Sequence, residues 1–306
     1  MSFDMVKFSL LSLFLGMSVL LGCGEIKGQN PEIYPLWPMG TEEENGLAGK
    51  ERKDDNGRVT NCCVAEMYVY CPGQKVNTNK VIVICPGGGY THLAMNHEGH
   101  LFARWLNERG ITAVILKYRM PNGHERIPLA DAQQAIRWVR MQAKEWGIYP
   151  VKVGIAGFSA GGHLASTLMT HYEQGNENAS EPIKRFNSRP DFALLFYPVI
   201  SMQAGLTHAG SRHALLGEEP GMDKVNEYSG ELHVTAQTPP AFIVHSDDDK
   251  AVSVMNSVSF YQALKKHDVP AVLYIFPKGG HGWGLRDSYE YYPEWTTLLE
   301  KWLETL

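Results

Sequence analysis

The sequence predicts an α/β fold in which a mostly parallel sheet is covered by helices on both faces. Two observations lead to this prediction. Continuous apolar runs such as Val81–Cys85 and Phe192–Tyr197 are typical of strands buried on both faces. Segments of helical length and periodicity, such as Leu129–Trp146, separate these runs. Because parallel strands need crossover connections, this alternation indicates strands joined by helices that pack on the sheet.

The individual elements are predicted in order from residue 66 onward. The strands are expected at Glu66–Tyr70, which is predicted to be an edge strand, and at Val81–Cys85, Thr112–Tyr118, Val151 to Gly157, Phe192–Tyr197, Ala241–His245 and Ala271–Phe276. The helices are expected at Glu98–Arg109, at Leu129–Trp146, from about Ala160, at Ser253–His267 and at Thr296–Glu304. Glycines at 110 and 147 end the first two helices.

Two segments do not follow this alternation. Residues 24–58 are polar and rich in Gly, Asn and charge, so we expect a tether and an irregular entry to the domain. Residues 201–239 are predicted to form a small cap insertion over the carboxyl ends of the strands, where ligands bind in open α/β sheets.

Length and composition are typical of one large globular domain. The chain has 306 residues, of which 44% are hydrophobic and 20% charged, and its formal net charge is -5. We therefore predict a single catalytic domain over residues 24–306. The acidic balance disfavours a nucleic-acid partner, because such partners select basic surfaces.

The first 23 residues are predicted to be a targeting segment. Lys7 precedes an apolar run from Phe8 to Leu21, which has the length of a signal-peptide core and is short for a membrane span. The run ends in Leu20-Leu21-Gly22-Cys23 and resembles a bacterial lipobox, in which the cysteine is lipidated. Simple secretion is the alternative. We therefore expect an exported protein, either periplasmic or a lipoprotein of the outer membrane or cell surface, that touches a membrane only through an anchor at Cys23.

The other cysteines and the histidines do not predict a metal site. Export allows a disulfide among Cys62, Cys63 and Cys71, with the pairing left open, whereas Cys85 is expected to be a small core residue. The chain has no C-x-x-C and no H-E-x-x-H, and His97-Glu-Gly-His100 has the wrong spacing for two ligands on one helical face. We predict neither a metal nor a cofactor.

The segment around Ser159 predicts a catalytic nucleophile. Gly157-Phe-Ser-Ala-Gly161 lies between a predicted buried strand and a predicted helix, which is the context of a nucleophile elbow. The two glycines allow the strand and the helix to approach closely. The helix that begins near Ala160 directs its N–H groups and positive dipole end toward an oxyanion formed at Ser159.

An acid and a histidine follow Ser159 in the chain order that this architecture requires. Three consecutive aspartates follow the strand Ala241–His245. We choose Asp249 as the acid because it lies three residues before Val252, at the predicted start of the next helix, and Asp248 is the second choice. The base is predicted to be His281, on the glycine-rich loop after the last strand. His163, four residues after Ser159, is expected to be a packing or hydrogen-bonding residue.

A glycine-rich turn after an early strand predicts the rest of an oxyanion hole. In Cys85-Pro-Gly-Gly-Gly-Tyr90, the N–H groups of Gly88 and Gly89 are the candidate donors, and that of Ala160 is the third. The Lys-Ser/Thr of a phosphate-binding loop is missing. Tyr90 and Trp283 could stack on a sugar or an aryl acyl group, or could belong to the core.

Together these motifs resemble the α/β-hydrolase esterases described as acetylxylan esterase-like, which are bacterial enzymes of plant-polysaccharide breakdown. The resemblance spans about Ile33 to Leu306 and is carried by Pro86-Gly-Gly-Gly-Tyr90, Gly157-Phe-Ser-Ala-Gly-Gly-His163, Ser188-Arg-Pro-Asp191, His245-Ser-Asp-Asp-Asp-Lys250 and Gly279-Gly-His-Gly-Trp283. It implies the α/β-hydrolase fold, with Ser159 as nucleophile, Asp249 as acid and His281 as base. Hormone-sensitive-lipase-type esterases have His before the three glycines, whereas this chain has Pro86, which favours the polysaccharide-esterase branch.

The function predicted from the sequence is that of a serine carboxylesterase. It removes short acyl groups, acetyl first among them, from plant-type polysaccharides or oligosaccharides such as xylan, through an acyl-enzyme and without a cofactor. The alternatives within the same chemistry are a feruloyl or general short-chain esterase, and a peptidase of prolyl-oligopeptidase type, although nothing in the chain resembles a propeller domain. The alternative from another class is a non-catalytic glycan-binding lipoprotein.

Overall fold

The structure is a computed structural model that describes residues 30–41, 43–72, 77–143, 146 and 152–306. The predicted targeting segment and Cys23 lie outside the described residues, and so does Val151 at the start of one predicted strand.

Eleven strands in the described part of the chain form two sheets. They are β1 Glu32–Pro35, β2 Arg52–Lys53, β3 Arg58–Thr60, β4 Glu66–Tyr70, β5 Lys80–Cys85, β6 His92–Ala94, β7 Thr112–Lys117, β8 Lys152–Phe158, β9 Phe192–Phe196, β10 Ala241–Ser246 and β11 Ala271–Phe276. The larger sheet has the order β1-β4-β7-β5-β8-β9-β10-β11, and the smaller one has the order β2-β3-β6.

The larger sheet is parallel from β7 through β11 and antiparallel only at β4 and β1. Its centre is the apolar strand β5, in which Val83 pairs with Val114 on one side and with Ile155 on the other. All three side chains are fully buried, which is why the sequence shows continuous apolar runs here. The prediction of a mostly parallel α/β sheet is confirmed.

Seven α-helices accompany the strands in the described residues. They are α1 Leu101–Glu108, α2 Arg126–Gln142, α3 Ala160–Thr170, α4 Ala209–Leu216, α5 Met222–Glu227, α6 Met255–Lys266 and α7 Tyr292–Glu304. Helix α3 packs on β8 and α2 packs on α3, while α1 contacts β7 and α7 contacts β10. No helix among the described residues is both long and apolar enough to cross a membrane.

Two predictions about the amino-terminal part were wrong. Glu66–Tyr70 is not an edge strand, because β1 pairs on its outer side. Residues 24–58 were expected to be irregular, yet their described part contains β1, β2 and the start of β3. These strands are short and largely exposed, so the sequence carries little apolar periodicity there; their pairing with β4 and β6 is a tertiary interaction.

The helix predicted at Glu98–Arg109 begins differently. Residues Met95–His100 form one π-helical turn, and the α-helix starts only at Leu101. Such turns occur frequently at functional sites. Here the turn leaves the side chain of Glu98 buried beside the glycine-rich segment that follows β5.

The segment 201–239 forms the helices α4 and α5 and a short 3₁₀ turn at Gly230–Leu232. No disulfide links Cys62, Cys63, Cys71 and Cys85 in the described part of the chain, and Cys85 is fully buried as expected for a core residue.

Candidate active site

Ser159 lies on a strained turn between β8 and α3. Its φ is +53° and its ψ is -119°, a conformation that costs a non-glycine residue free energy. The turn is held in place because the Ser159 N–H donates to the carbonyl of Phe196 and the Ser159 carbonyl accepts from Val199. A Cβ added at Gly161 would overlap the carbonyl oxygen of Cys85. This glycine therefore permits the close approach of helix and strand that the turn requires.

Three side chains from separate loops form a continuous hydrogen-bond relay. The His281 Nε2 lies 2.7 Å from Ser159 Oγ, and the His281 Nδ1 lies 2.6 Å from Asp249 Oδ2. Since an ionised carboxylate can only accept, Nδ1 carries the imidazole proton and donates to Asp249. Nε2 is then unprotonated and accepts from the Ser159 hydroxyl. The structure thus brings together the nucleophile, base and acid that the sequence predicts.

Asp249 is held in its charged state. Burial alone would raise the pKa of this carboxyl, but hydrogen bonds with His245 and His281 and the nearby charge of His281 hold the pKa below its usual range. Its Oδ1 accepts the backbone N–H groups of Ala251 and Val252, both at 2.9 Å. The carboxylate therefore stays an acceptor for His281 across the physiological range.

Asp248, the second choice for the acid, has a different contact. Its side chain is exposed, and its Oδ1 accepts the backbone N–H of Gly280 at 2.7 Å. It fastens the glycine-rich loop one residue before His281. The two neighbouring aspartates thus hold the same loop at two points, one through the backbone and one through the imidazole.

The candidate oxyanion donors lie around the same space. Gly88 and Gly89 line a cavity of about 390 Å³ together with Ser159 and His281. Among the described residues, no acceptor takes the N–H groups of Gly88, Gly89 or Ala160. Gly88 has a φ of +134°, and a Cβ there would overlap the carbonyl of His92, so only glycine fits. The N–H of Ala160 belongs to the first residue of α3.

Glu98 ties this turn to the histidine loop, and sequence reasoning missed it. Its Oε2 accepts the N–H of Gly87 at 2.7 Å, and its Oε1 accepts the hydroxyl of Tyr197 at 2.8 Å. That hydroxyl in turn accepts the N–H of Gly284 at 2.9 Å, and the Tyr197 ring packs edge-on against His281 at 4.9 Å. Burial raises the pKa of Glu98, opposed by these hydrogen bonds. The sequence carried no direct indication of this role for Glu98. The segment attracted attention only because His97 and His100 flank Glu98, and these were considered as metal ligands.

The aromatic residues predicted to bind substrate are packed instead. Trp283 is 4% exposed and stacks on Tyr289 with the ring centroids 4.6 Å apart. Tyr90 is 2% exposed, and its hydroxyl lies 2.8 Å from His163 Nδ1. Neither residue lines the cavity that holds Ser159, and each borders a different cavity, so the prediction that they bind substrate beside Ser159 is corrected. His163 has the expected bonding role, since its Nε2 contacts the carbonyl of Tyr228.

The cavity has a rim that the sequence did not predict. Arg58 comes from β3, Arg286 from the loop after His281, and His208 from the segment 201–239. The Ser211 N–H donates to His208 Nδ1, so the imidazole presents its Nε2 as a donor. The segment 201–239 thus contributes to the catalytic cavity. Among the described residues, no group of three or more His, Cys, Asp or Glu side chains is arranged to hold a metal ion.

The fold and this constellation define the class: an α/β-hydrolase with a serine nucleophile elbow, a histidine relay and a glycine-rich turn beside it. Comparison with known proteins gives the family. The sequence profile of the BD-FAE family matches residues 67–264. The chain belongs to this family, and the resemblance to acetylxylan esterase-like α/β-hydrolases is confirmed.

Three proteins illustrate the relationship. The chain is 37% identical over 246 residues to an acetylxylan esterase of Xylanibacter ruminicola. This alignment covers 79% of this chain and 48% of that protein. It is 34% identical over 237 residues to endo-1,4-beta-xylanase B of Butyrivibrio fibrisolvens, over 76% and 36% of the two chains. The crystal structure of an acetyl ester-xyloside bifunctional hydrolase from Caldicellulosiruptor lactoaceticus superposes with a TM-score of 0.78 at 42% identity, over 90% and 96% of the two chains.

The matched region spans about half or less of the length of the first two relatives. The superposition, by contrast, covers 96% of the bifunctional hydrolase, so the two chains share the α/β-hydrolase fold over that length.

Proposed function

We propose that this protein is a serine carboxylesterase that removes O-acetyl groups from xylan-type polysaccharides or oligosaccharides. The observation that carries the proposal is the relay from Ser159 through His281 to Asp249 at the edge of an open cavity. The names of the related acetylxylan esterase and acetyl ester-xyloside hydrolase support the choice of acetyl and of a xylose-based glycan.

Acylation starts at Ser159. Its Oγ attacks the carbonyl carbon of the acetyl ester while its proton passes to His281 Nε2, which lies 2.7 Å away. The charge that develops on the carbonyl oxygen is stabilised by the N–H groups of Gly88, Gly89 and Ala160. Asp249 stabilises the imidazolium that forms. The C–O bond to the sugar then breaks, His281 returns its proton to the sugar oxygen, and the acetyl group remains on Ser159.

Deacylation uses the same groups with water as the nucleophile. His281 Nε2 accepts a proton from the attacking water, and the oxyanion is held again by the same three N–H groups. When the tetrahedral intermediate collapses, acetate leaves and His281 returns the proton to Ser159 Oγ. The cycle needs no group beyond those on the chain and one water molecule.

The test compares hydrolysis by the wild type with that by Ser159→Ala. The substrates are acetylated xylan and a matched series of acetyl, butyryl, octanoyl and feruloyl esters, with release of free acid as the readout. We expect acetate release from xylan, a preference for acetyl among the esters, and a loss of about 10⁴-fold or more in the variant. Ser180→Ala, at an exposed position away from the relay, is the control and should keep full activity.

The other outcomes identify the rivals. Turnover of feruloyl or longer esters alone would retain the relay and reject the acetyl specificity. Binding of xylan in a titration without hydrolysis of any ester would support a glycan-binding protein on this scaffold. An unchanged rate in Ser159→Ala would refute the mechanism.

We further propose that the protein is exported and carries a lipid anchor at Cys23. The apolar run that ends in Leu20-Leu21-Gly22-Cys23 supports this, and the polymeric nature of xylan makes an extracytoplasmic enzyme reasonable. Mass spectrometry of the mature protein should find diacylglyceryl-cysteine as its first residue. A mature chain that begins elsewhere with an unmodified amino group would reject the anchor.

A further inference from the structure

Two arginines on the rim of the catalytic cavity form no ion pair with any carboxylate in the described part of the chain. Arg58, on β3, and Arg286, on the loop after His281, both line the cavity that contains Ser159. Both side chains are exposed. Among the described residues, neither guanidinium makes a hydrogen bond or an ion pair, whereas Arg119 and Arg137 are both paired with carboxylates.

The two arginines act on the same region of the cavity. Burial and, after it, the charges of Arg286 and Arg58 together lower the pKa of His97 to about 4. His97 lines the cavity as well, so both guanidiniums are near one point of its wall. At neutral pH this imidazole is uncharged and leaves the two arginines as the cationic groups of this wall.

The buried carboxylate in the cavity wall makes no ion pair with either arginine, although the charge of Arg286 acts on it. Glu98 lines the cavity, but its two oxygens accept the N–H of Gly87 and the hydroxyl of Tyr197. Asp54 accepts the backbone N–H of Arg58 and leaves its guanidinium without a bond. The whole chain carries a formal charge of -5, so these arginines are a local cationic site on an acidic protein.

We propose that Arg58 and Arg286 bind a carboxylate on the sugar part of the substrate, so that the enzyme prefers acetylated glycans that carry a uronic acid. This inference rests on the proposed esterase function and specifies its substrate. Guanidinium groups are suited to carboxylates because their planar N–H donors can bind both oxygens at once.

The position of the arginines assigns the carboxylate to the sugar. Ser159 is only 7% exposed, and the acyl group must lie against it and the oxyanion donors. The two arginines are exposed at the open rim, where the rest of the substrate leaves the cavity. The part of the substrate that reaches them is therefore the alcohol side of the ester.

Three acetylated monosaccharides test the preference. Fully acetylated methyl xyloside is the neutral ring, the acetylated methyl glucuronide adds one carboxylate to that ring, and the matching glucuronamide replaces the carboxylate with a neutral group of the same shape. We expect kcat/KM for the glucuronide to exceed that for the glucuronamide by about tenfold at low salt, mainly through KM. Added NaCl should reduce this ratio, because the arginines are exposed.

Substitutions then locate the preference. In Arg58→Gln and Arg286→Gln the ratio of glucuronide to glucuronamide should fall, and in the double variant it should approach one. Lysine at either position should retain part of the ratio, because it keeps the charge and loses the paired donors. Arg52→Gln, on the same small sheet but outside the cavity wall, is the control and should leave the ratio unchanged.

The same compounds separate this inference from the proposed function. If the wild type hydrolyses none of the three acetylated sugars, the proposed function fails; titration of Ser159→Ala with methyl glucuronide and its amide then still measures the carboxylate preference. The inference is overturned if the wild type shows no preference for the glucuronide, or if the double variant keeps the ratio while losing activity on both substrates. A preference for monoethyl succinate over ethyl butyrate, abolished in the double variant, would place the carboxylate on the acyl side and also overturn it.

Discussion

At the scale of single residues, Glu98 and Tyr197 connect the two loops that the chemistry depends on. Glu98 fixes the N–H of Gly87 next to the candidate oxyanion donors, and Tyr197 fixes the N–H of Gly284 close after His281. A hydrogen bond of 2.8 Å joins the two side chains. We regard them as positioning residues, because neither is needed for a covalent or proton-transfer step.

The variant Glu98→Gln tests this role. The amide has an NH2 donor in place of one carboxylate oxygen, so in this geometry it can accept from Gly87 or from Tyr197 but not from both. We expect kcat to fall by about 10- to 100-fold with little change in KM, because the oxyanion donors and His281 lose their alignment in the transition state. Steady-state kinetics well below the unfolding temperature measure this split.

Tyr197→Phe provides the comparison for that experiment. It removes only the hydroxyl that joins Glu98 to Gly284, so its defect should also be in kcat and should not add fully to that of Glu98→Gln. A loss of stability in Glu98→Gln with unchanged kcat would show that the carboxylate is merely structural.

At the scale of elements, the site depends on how closely α3 approaches the end of β5. Gly161 makes this possible, since any larger residue would overlap the backbone of Cys85 and Pro86. The smaller sheet also contributes to the cavity, because it positions one residue of the rim. It pairs β3 with β6, and β3 brings Arg58 to the rim.

Substitution at Gly161 should therefore disrupt the site and the fold together. We expect Gly161→Ala to lower the free energy of unfolding by about 3 kcal/mol or more, because backbone atoms cannot yield as a flexible side chain could. Esterase activity should be lost in the same variant. Urea unfolding followed by circular dichroism measures the change.

Gly221→Ala is the matched control for Gly161→Ala. A Cβ at Gly221 meets no atom within 4 Å and its φ is -59°, so the free energy of unfolding should change by less than about 0.5 kcal/mol. Equal stability of the two alanine variants would contradict the close approach of α3 to β5.

At the scale of the whole molecule, histidines held neutral by burial link stability to pH. Burial lowers the pKa of His97, His100 and His163 to about 4 each. Of these, His163 is 1% exposed and is bonded to Tyr90 and Tyr228. In the unfolded chain a histidine titrates near pH 6.5. Between about pH 4 and pH 6.5 the unfolded state therefore binds more protons than the folded state.

The stability that these histidines contribute should be full above about pH 6.5 and should fall as the pH drops toward 4. For His163 alone the loss between pH 7 and pH 4.5 is about 2 kcal/mol, obtained from the displacement of its pKa. We expect His163→Gln to reduce the pH-dependence by that amount, since glutamine can donate and accept but cannot take up a proton. Urea unfolding at the two pH values measures the difference.

His267→Gln, at an exposed position after α6, is the control for this experiment and should keep the pH-dependence of the wild type. If His163→Gln also keeps it, the burial of a neutral imidazole at position 163 does not control acid stability.

The sequence by itself determined the parallel sheet, the position of Ser159 between strand and helix, and the order in which the acid and the histidine follow. These features depend on local patterns: apolar runs, glycines beside a serine, and polar residues directly after a strand. For the same reason Asp249 could be chosen among three aspartates from its position before Val252, and in the structure its Oδ1 accepts the N–H groups of Ala251 and Val252.

Only the tertiary structure decided which side chains face the cavity. Trp283 and Tyr90 are aromatic residues of the kind that stack on sugars. In the structure Trp283 packs on Tyr289 and Tyr90 bonds to His163 instead. Arg58 and Glu98 reach the cavity through the pairing of β3 with β6 and through one π-helical turn, and neither has a periodic signal. Burial and long-range pairing depend on the whole chain, and a local pattern does not contain them.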